Sequence, residues 1–235
     1  MMGLFLLIMG VQGAGKGIQA GLVQKHYGIP QISTGDLFRA MKTRTDALAQ
    51  QIQTIMASGQ LISDEITNQV VKERLEQPDV QAGAIFDGYP RTPDQAKYLD
   101  DLLASKGEKL SAVLLMELDL YDAFRRAFGR VTAADGESYN VYTTPELLDV
   151  KWNEHPEKAF PPSLEATLKA TGEKLKRRAD DAHAHAIIKR IDDFRSLTAP
   201  LISYYDARGL VKRVDASVSI EAVSAQVNTI IDAAR

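Results

Sequence analysis

The sequence predicts an α/β fold: a five-stranded parallel sheet flanked by helices, with a small helical flap and an inserted lid. Three observations carry that prediction. Five short strand-like runs alternate with helical stretches, the pattern of a parallel sheet wound with helices. The first run, Leu4-Phe5-Leu6-Leu7-Ile8-Met9, passes directly into the glycine loop Gly10-Val11-Gln12-Gly13-Ala14-Gly15-Lys16-Gly17. A polar, proline-bearing stretch from Val131 to Arg178 holds no run long enough for the main sheet.

Each element has its own reason. A fully apolar first strand reads as buried on both faces. The glycines after it permit close approach and unusual dihedrals, so successive backbone N–H groups can line one concavity. The following helix, Lys16 to His26, aims its positive end at that spot, and Lys16 adds a mobile full charge. A glycine loop ending in Lys, set between strand and helix, is a cradle for a nucleotide triphosphate. Gly17 and Ile18 follow Lys16, so the hydroxyl that most such loops offer to Mg²⁺ is missing. Metal has to be held by water and by a group elsewhere.

A second strand, Ile29 to Ile32, breaks into a helix at Ser33-Thr34-Gly35-Asp36, with Thr34 or Asp36 as candidate cap. An amphipathic helix from Asp46 to Met56 ends at Ser58-Gly59. Ser63-Asp64-Glu65 opens another helix, Ile66 to Glu76, with Ile66, Val70, Val71 and Leu75 on one stripe and Pro78 stopping it. These helices form the flap. Ala84-Ile85-Phe86-Asp87 is a buried strand with an acid at its carboxyl end, the edge where open α/β sheets bind ligands. Asp87 is therefore placed to hold Mg²⁺ or its waters, the alternative being a cap on the next turn. Arg91, four residues on, faces the same edge.

A helix then runs through Leu103, Ala112 to Leu118 is the fourth strand, and Tyr121 to Phe128 is a helix carrying Arg125 and Arg126, with Arg130 just beyond. The stretch to Arg178, with the single Trp152 and Pro145, Pro156, Pro161 and Pro162, reads as a lid, because long irregular insertions are usually functional. Asp180 to Tyr205 reads as mostly one helix, Leu210 to Val214 as the fifth strand and Ile220 to Ala234 as the closing helix.

Composition narrows the class. A net charge of −3 in 235 residues gives no global attraction to nucleic acid or an anionic membrane. With no Cys, disulfides and thiolate zinc sites are excluded, which fits a reducing compartment. His183 and His185 flank Ala184 and point to different faces of a helix, a poor metal pair. The apolar N-terminus lacks the basic flank of a signal peptide, and no run spans a bilayer, so the expected location is cytoplasmic.

Several stretches, in order across nearly the whole chain, resemble the adenylate kinase family of nucleoside monophosphate kinases. They are the glycine loop, Ile32-Ser33-Thr34-Gly35-Asp36-Leu37 with Arg39, and Gly59-Gln60-Leu61-Ile62-Ser63-Asp64-Glu65. Then come Phe86-Asp87-Gly88-Tyr89-Pro90-Arg91-Thr92 with Gln95, Gly129-Arg130, Thr171-Gly172-Glu173, Arg178-x-Asp180-Asp181 and Thr198-Ala199-Pro200-Leu201. The resemblance implies a P-loop kinase fold with a core of residues 1–33, 63–128 and 179–235, a monophosphate-binding flap of 34–62 and a lid of 129–178. It implies the reaction ATP + AMP ⇌ 2 ADP with Mg²⁺, no structural zinc, and a monomer that binds neither nucleic acid nor membrane.

By position, the resemblance gives ATP to Gly13, Ala14, Gly15, Lys16, Gly17, Ile18, Arg126, Arg130, Tyr139 and Val218. It gives AMP to Thr34, Gly35, Arg39, Gln60, Ile62, Gly88, Tyr89, Arg91 and Gln95. Lys16, Arg91, Arg126, Arg130, Arg178 and Arg190 would converge on the transferring phosphoryl group, and Asp87 would organise Mg²⁺ through water. Such chemistry needs positioning and charge neutralisation more than a nucleophile, and arginine forks match phosphate geometry. It also needs water excluded, and the adenylate kinase lid is itself a recognised case of such closure.

Three departures from the family pattern stand out. Gln12 replaces a proline, tolerable because neither side chain need touch phosphate. Ile18 replaces a Thr near the ATP α-phosphate. Arg190 stands one residue further from Asp181 than the pattern has it, so that a helix bulge, Lys189 or a rotated Arg190 must make up the difference. The lid is also long, with extra sequence around Val150 to Leu168, and polar pairs such as Asp135 with Thr171 are candidates to tie it. Two alternatives stay open: a kinase for UMP, CMP or another monophosphate, and a nucleotide-binding regulator with weak turnover. Thr34 and Thr92, where pyrimidine kinases tend to carry Ala and Asn, favour AMP.

Overall fold

The computed structural model describes residues 3–57, 62–153, 163–177, 181 and 183–235. The chain divides into two compact units: Met1–Gly10, Gly15–Glu117 and Ser196–Arg235 form the first, and Val11–Ala14 with Leu118–Arg195 form the second.

The first unit is built on β1 (Leu4–Gly10), buried along its whole length. On one side it pairs with β3 (Gly83–Asp87), which pairs in turn with β2 (Gln31–Ser33). On the other it pairs with β4 (Leu110–Glu117), which pairs with β9 (Val211–Asp215). All four pairings are parallel, giving the order β2-β3-β1-β4-β9. The five expected strands are therefore found within a residue or two. Because β1 has neighbours on both sides, the loop after it opens at the carboxyl edge where the winding direction switches, the usual ligand crevice of such sheets. One core cluster joins Phe5, Leu7 and Met9 to Phe86, Tyr89, Leu99, Val113, Leu201 and Tyr205.

The helices α1 (Lys16–Tyr27), α2 (Thr34–Met41), α3 (Ala47–Ala57), α4 (Asp64–Leu75), α5 (Pro93–Ser105) and α9 (Ile220–Ala234) follow the expected pattern. One detail differs: α2 is capped by Ser33, whose Oγ accepts from the Asp36 N–H at 3.3 Å, rather than by Thr34 or Asp36. A cap must lie outside the helix with extended dihedrals, and Ser33 is the last residue of β2. Between β2 and β3, Met41, Leu48, Ala49, Ile52 and Val70 form a separate apolar cluster with Ile62 packed against it.

The second unit holds α6 (Leu120–Phe128) and two antiparallel hairpins, β5 (Arg130–Thr132) with β6 (Ser138–Asn140), and β7 (Leu148–Asn153) with β8 (Ser163–Leu168). The insertion is thus strand-built rather than irregular. Its core is apolar: Val131, Ala133, Val141, Leu148, Leu164, Ala166 and Leu175. Asp135 and Thr171 do not pair. Each accepts from a backbone N–H two residues on, and Glu173 makes the crossing contact, Oε1 accepting from the Ala134 N–H at 2.7 Å. The single helix expected up to Tyr205 is instead α7 (Ala184–Asp193), a π-helical turn over Phe194–Thr198 and α8 (Pro200–Asp206). Pro200 lacks the N–H that would continue the first ladder, so a new helix starts there.

Candidate active site

In the first unit, candidate residues gather at the carboxyl ends of β1, β2 and β3. Lys16, the first residue of α1, donates from Nζ to the Gly10 carbonyl at 2.7 Å. Asp87 ends β3 in register with Ile8 of β1 and Ser33 of β2. Its Oδ2 accepts from Gln31 Nε2 at 3.0 Å, and a Cβ on Gly17 would lie 3.7 Å from that oxygen. Burial pushes the Asp87 carboxyl above its ordinary range, against the pull of Lys16, Gln31 and Arg91. A carboxylate whose ionisation burial opposes is one that a cation stabilises.

Gly88 makes the next step possible. It sits at φ 75°, and an added Cβ would come within 3.2 Å of Arg91 Nη2 and 3.3 Å of Thr34 Oγ1. Its carbonyl accepts from Thr34 Oγ1 at 3.0 Å and from Arg91 Nε at 2.8 Å. The fold therefore brings Thr34, Gly88 and Arg91 together, with a guanidinium beside the strand end that carries Asp87. Gln95 locks this loop from behind. Its Oε1 accepts from the Arg91 N–H at 2.8 Å, and its Nε2 donates to Asp64 Oδ1 at 2.6 Å.

Tyr89 is fully buried and gives its hydroxyl to Asn68 Oδ1 at 2.5 Å, so its side chain supports the loop from the core. Arg39 is exposed and paired with Asp36 at 2.5 Å, with Gly35 leaving room for its guanidinium. Ile62 packs into the flap. Ile18 on α1 and Val218 before α9 are 49% and 41% exposed, apolar groups left at the surface. Gln60 and Arg178 lie outside the described residues.

In the second unit, Gly13 has φ 92°, and an added Cβ would run into the Ala123 carbonyl of α6, so only glycine fits there. The centre of this unit is Asp181, a carboxylate with no exposed surface. Arg130 clasps its Oδ2 through Nε at 2.8 Å and through Nη2. Gln12 of the glycine loop donates Nε2 to Oδ1 at 2.5 Å, and Arg190 Nη1 stands 3.7 Å from the same oxygen. Arg177 lies over the Phe128 ring and donates to the Phe128 and Asp181 backbone carbonyls. The Arg126 carbonyl accepts from Asn140 Nδ2 at 2.9 Å, and Tyr139 gives its hydroxyl to Glu137. Asp181 is the residue whose structural weight the sequence pattern does not show. It stood in the Arg-x-Asp-Asp motif, yet only the contacts reveal it as the shared anchor of two candidate arginines. Among the described residues, His, Asp and Glu side chains form no cluster of three or more that could hold a metal ion, and no helix is long and apolar enough to cross a membrane.

A glycine loop between a central parallel strand and a helix, with a partly buried carboxylate on the adjoining strand end, defines a phosphate-loop α/β protein. Residues 8–210 match the profile of the family described as Adenylate kinase. An adenylate kinase of Moorella thermoacetica is 40% identical over 219 residues, 93% of this chain and 93% of that one. Those of Nitrosococcus oceani and Paramagnetospirillum magneticum are 35% and 37% identical, over 97% and 98% of this chain and 99% of each of theirs. The chain belongs to the adenylate kinase family.

Proposed function

We propose that this protein catalyses reversible, Mg²⁺-dependent phosphoryl transfer from ATP to AMP, giving two ADP. The observation that carries the reading is the joining of Thr34, Gly88 and Arg91 at the end of the strand that holds Asp87. An acceptor monophosphate needs a fixed cation and a donor triphosphate needs a glycine cradle, and the chain provides both. Family membership supports the same reaction.

Within this reading, Lys16 and the loop N–H groups bind the ATP phosphates, and Arg39 and Arg91 grip the AMP phosphate. Arg126, Arg130, Arg178 and Arg190 neutralise charge on the transferring group. Thr34 and Gln95 are the side chains offered to the acceptor base, and Gln95 also holds the Arg91 loop. The residues present fit a metal held through water: Asp87 is a largely buried acid beside Gly17, and neither Gly17 nor Ile18 offers a hydroxyl to bind metal directly. When bound, Mg²⁺ supplies charge neutralisation along the ATP phosphates. A monomer acting in the cytoplasm completes the proposal.

The test is ADP formation from ATP with AMP, CMP, UMP or GMP, each with and without Mg²⁺. Metal-dependent turnover selective for AMP is expected. Preference for a pyrimidine monophosphate would overturn the reading of Thr34, and ATP binding without turnover on any acceptor would overturn the enzyme.

A further inference from the structure

The position that departs from the family pattern in the glycine loop reaches the buried anchor of the arginine pair. Gln12 is itself nearly buried, at 8% exposure, and belongs to the same compact unit as Asp181, Arg130 and Arg190. Its Nε2 must be the atom facing Asp181, since the flipped amide would set two oxygens against each other. That orientation leaves Gln12 Oε1 buried and without a hydrogen-bond partner. A buried acceptor left unpaired is unfavourable. The residue therefore carries a local penalty, and what it gains is one N–H donor on Asp181 Oδ1.

The two oxygens of Asp181 are divided among three side chains. Oδ2 takes the Arg130 fork, whereas Oδ1 takes Gln12 at hydrogen-bond distance and Arg190 at 3.7 Å. A carboxylate fixed by one neutral and one charged donor has a set plane, and that plane sets where both guanidinium groups stand. Without the Gln12 amide, Oδ1 is open for Arg190 to close on, and the carboxylate is free to turn with it.

We infer that Gln12 is a positioning residue: through Asp181 it sets the placement of Arg130 and Arg190 for the transferring phosphoryl group, without touching substrate itself. The inference rests on the proposed phosphoryl transfer and adds to it a loop residue with a role distinct from phosphate binding.

Two variants test it, Gln12→Leu and Gln12→Glu, with steady-state kinetics in ATP and AMP and with thermal melting as the control for folding. Gln12→Leu is expected to lower kcat about tenfold while the AMP KM stays within about twofold, because the loss falls on phosphoryl contacts rather than on acceptor binding. Gln12→Glu keeps the shape and can still donate to Asp181 when protonated. Among the described residues, Asp181 opposes its ionisation, and Arg130, Arg177 and Arg190, gathered at Asp181, favour it. Its kcat relative to wild type is therefore expected to fall at least about fivefold between pH 5.5 and pH 8, as the carboxyl loses its proton.

Wild-type kcat in Gln12→Leu, or a kcat ratio for Gln12→Glu that is flat with pH, overturns the inference. Failure of both variants to fold assigns the contact to stability and overturns it equally. The parallel wild-type assay separates the two levels: an inactive wild type defeats the proposed reaction and this inference together, whereas an active wild type with indifferent variants defeats only the inference.

Discussion

Replacing Asp181 by Asn is the most informative single perturbation, because the side chain keeps its size and loses only its charge. Asp181 is wholly buried, and the Arg130 side chain that clasps it is 25% exposed. Removing one partner of a buried pair leaves the other charge uncompensated and typically costs about 3–5 kcal/mol. Water reaches part of Arg130, and Arg190 is 40% exposed, so the lower end, about 3 kcal/mol, is the expectation. For a chain of this length, each kcal/mol lowers the midpoint by roughly 2–4 °C, so the melt should fall by about 6–12 °C. Differential scanning calorimetry is the assay, read as the midpoint of the chain's cooperative transition. Adding Arg130→Met to Asp181→Asn should recover part of the loss, because the orphaned charge goes with it. A midpoint within about 1 °C of wild type, or losses that simply add in the double variant, would refute the claim that Asp181 is the charged anchor.

The remaining predictions bear on the first unit and the loop. Arg91→Ala should lower turnover about 10²–10³-fold, the usual loss when a charge-stabilising donor is removed, and near-normal turnover would remove Arg91 from the site. Ile18→Thr takes a half-exposed side chain from the first turn of α1, so stability should hold and ATP affinity should stay equal or improve; a large loss of ATP binding would contradict that placement. Gly13→Ala forces a side chain into φ 92° and against the Ala123 carbonyl, and ATP binding measured by calorimetry should weaken at least about tenfold, since the left-handed conformation alone costs about 1–2 kcal/mol. Asp87 has its folded pKa raised above the ordinary 3.8, so the stability of its protonated form is fully present below 3.8 and is lost as pH rises through the raised value. Urea unfolding of wild type and Asp87→Asn should therefore show the variant gaining relative stability as pH climbs from below 3.8 toward neutrality; a constant difference would show that Asp87 is not desolvated.

Much of this architecture is legible in residue pattern alone, and the misses have physical causes. Strands β1, β3 and β4 are short, mostly apolar runs buried on both faces, a signal that survives without any tertiary knowledge, whereas β9 carries Lys212, Arg213 and Asp215 and is exposed along much of its length. The hairpins of the insertion are harder to read. Leu164-Glu165-Ala166 does alternate, buried and exposed, but over so few residues beside prolines that the pattern is easily taken for irregular chain. Thr34, Gly88 and Arg91 were each readable from motif, yet their meeting at one carbonyl follows from the parallel register of β2 and β3. Gln12 shows the limit most clearly. Judged by whether its side chain need touch phosphate, it counts as a tolerated replacement, whereas its partner lies 169 positions along the chain.

The identity of the second anchored arginine illustrates how packing settles what spacing leaves open. One residue too many separates Asp181 from Arg190 by the family pattern, which left a helix bulge, Lys189 or a turned Arg190 as options. Helix α7 begins at Ala184, with His183 before it in an extended conformation. Its rotation is then fixed by Ile187 and Ile191, four positions apart and both buried. Arg190 lies three residues after Ile187 and so sits beside that buried stripe, within reach of Asp181. Lys189 lies two residues after Ile187, on the opposite side of the helix, where it pairs with Asp193 at 2.8 Å. Bringing Lys189 to Asp181 would require α7 to turn by about one residue, roughly 100°, which would expose both isoleucines. Burying two isoleucines outweighs an exposed i,i+4 ion pair by several-fold, so the helix keeps Arg190 as the residue that faces the carboxylate.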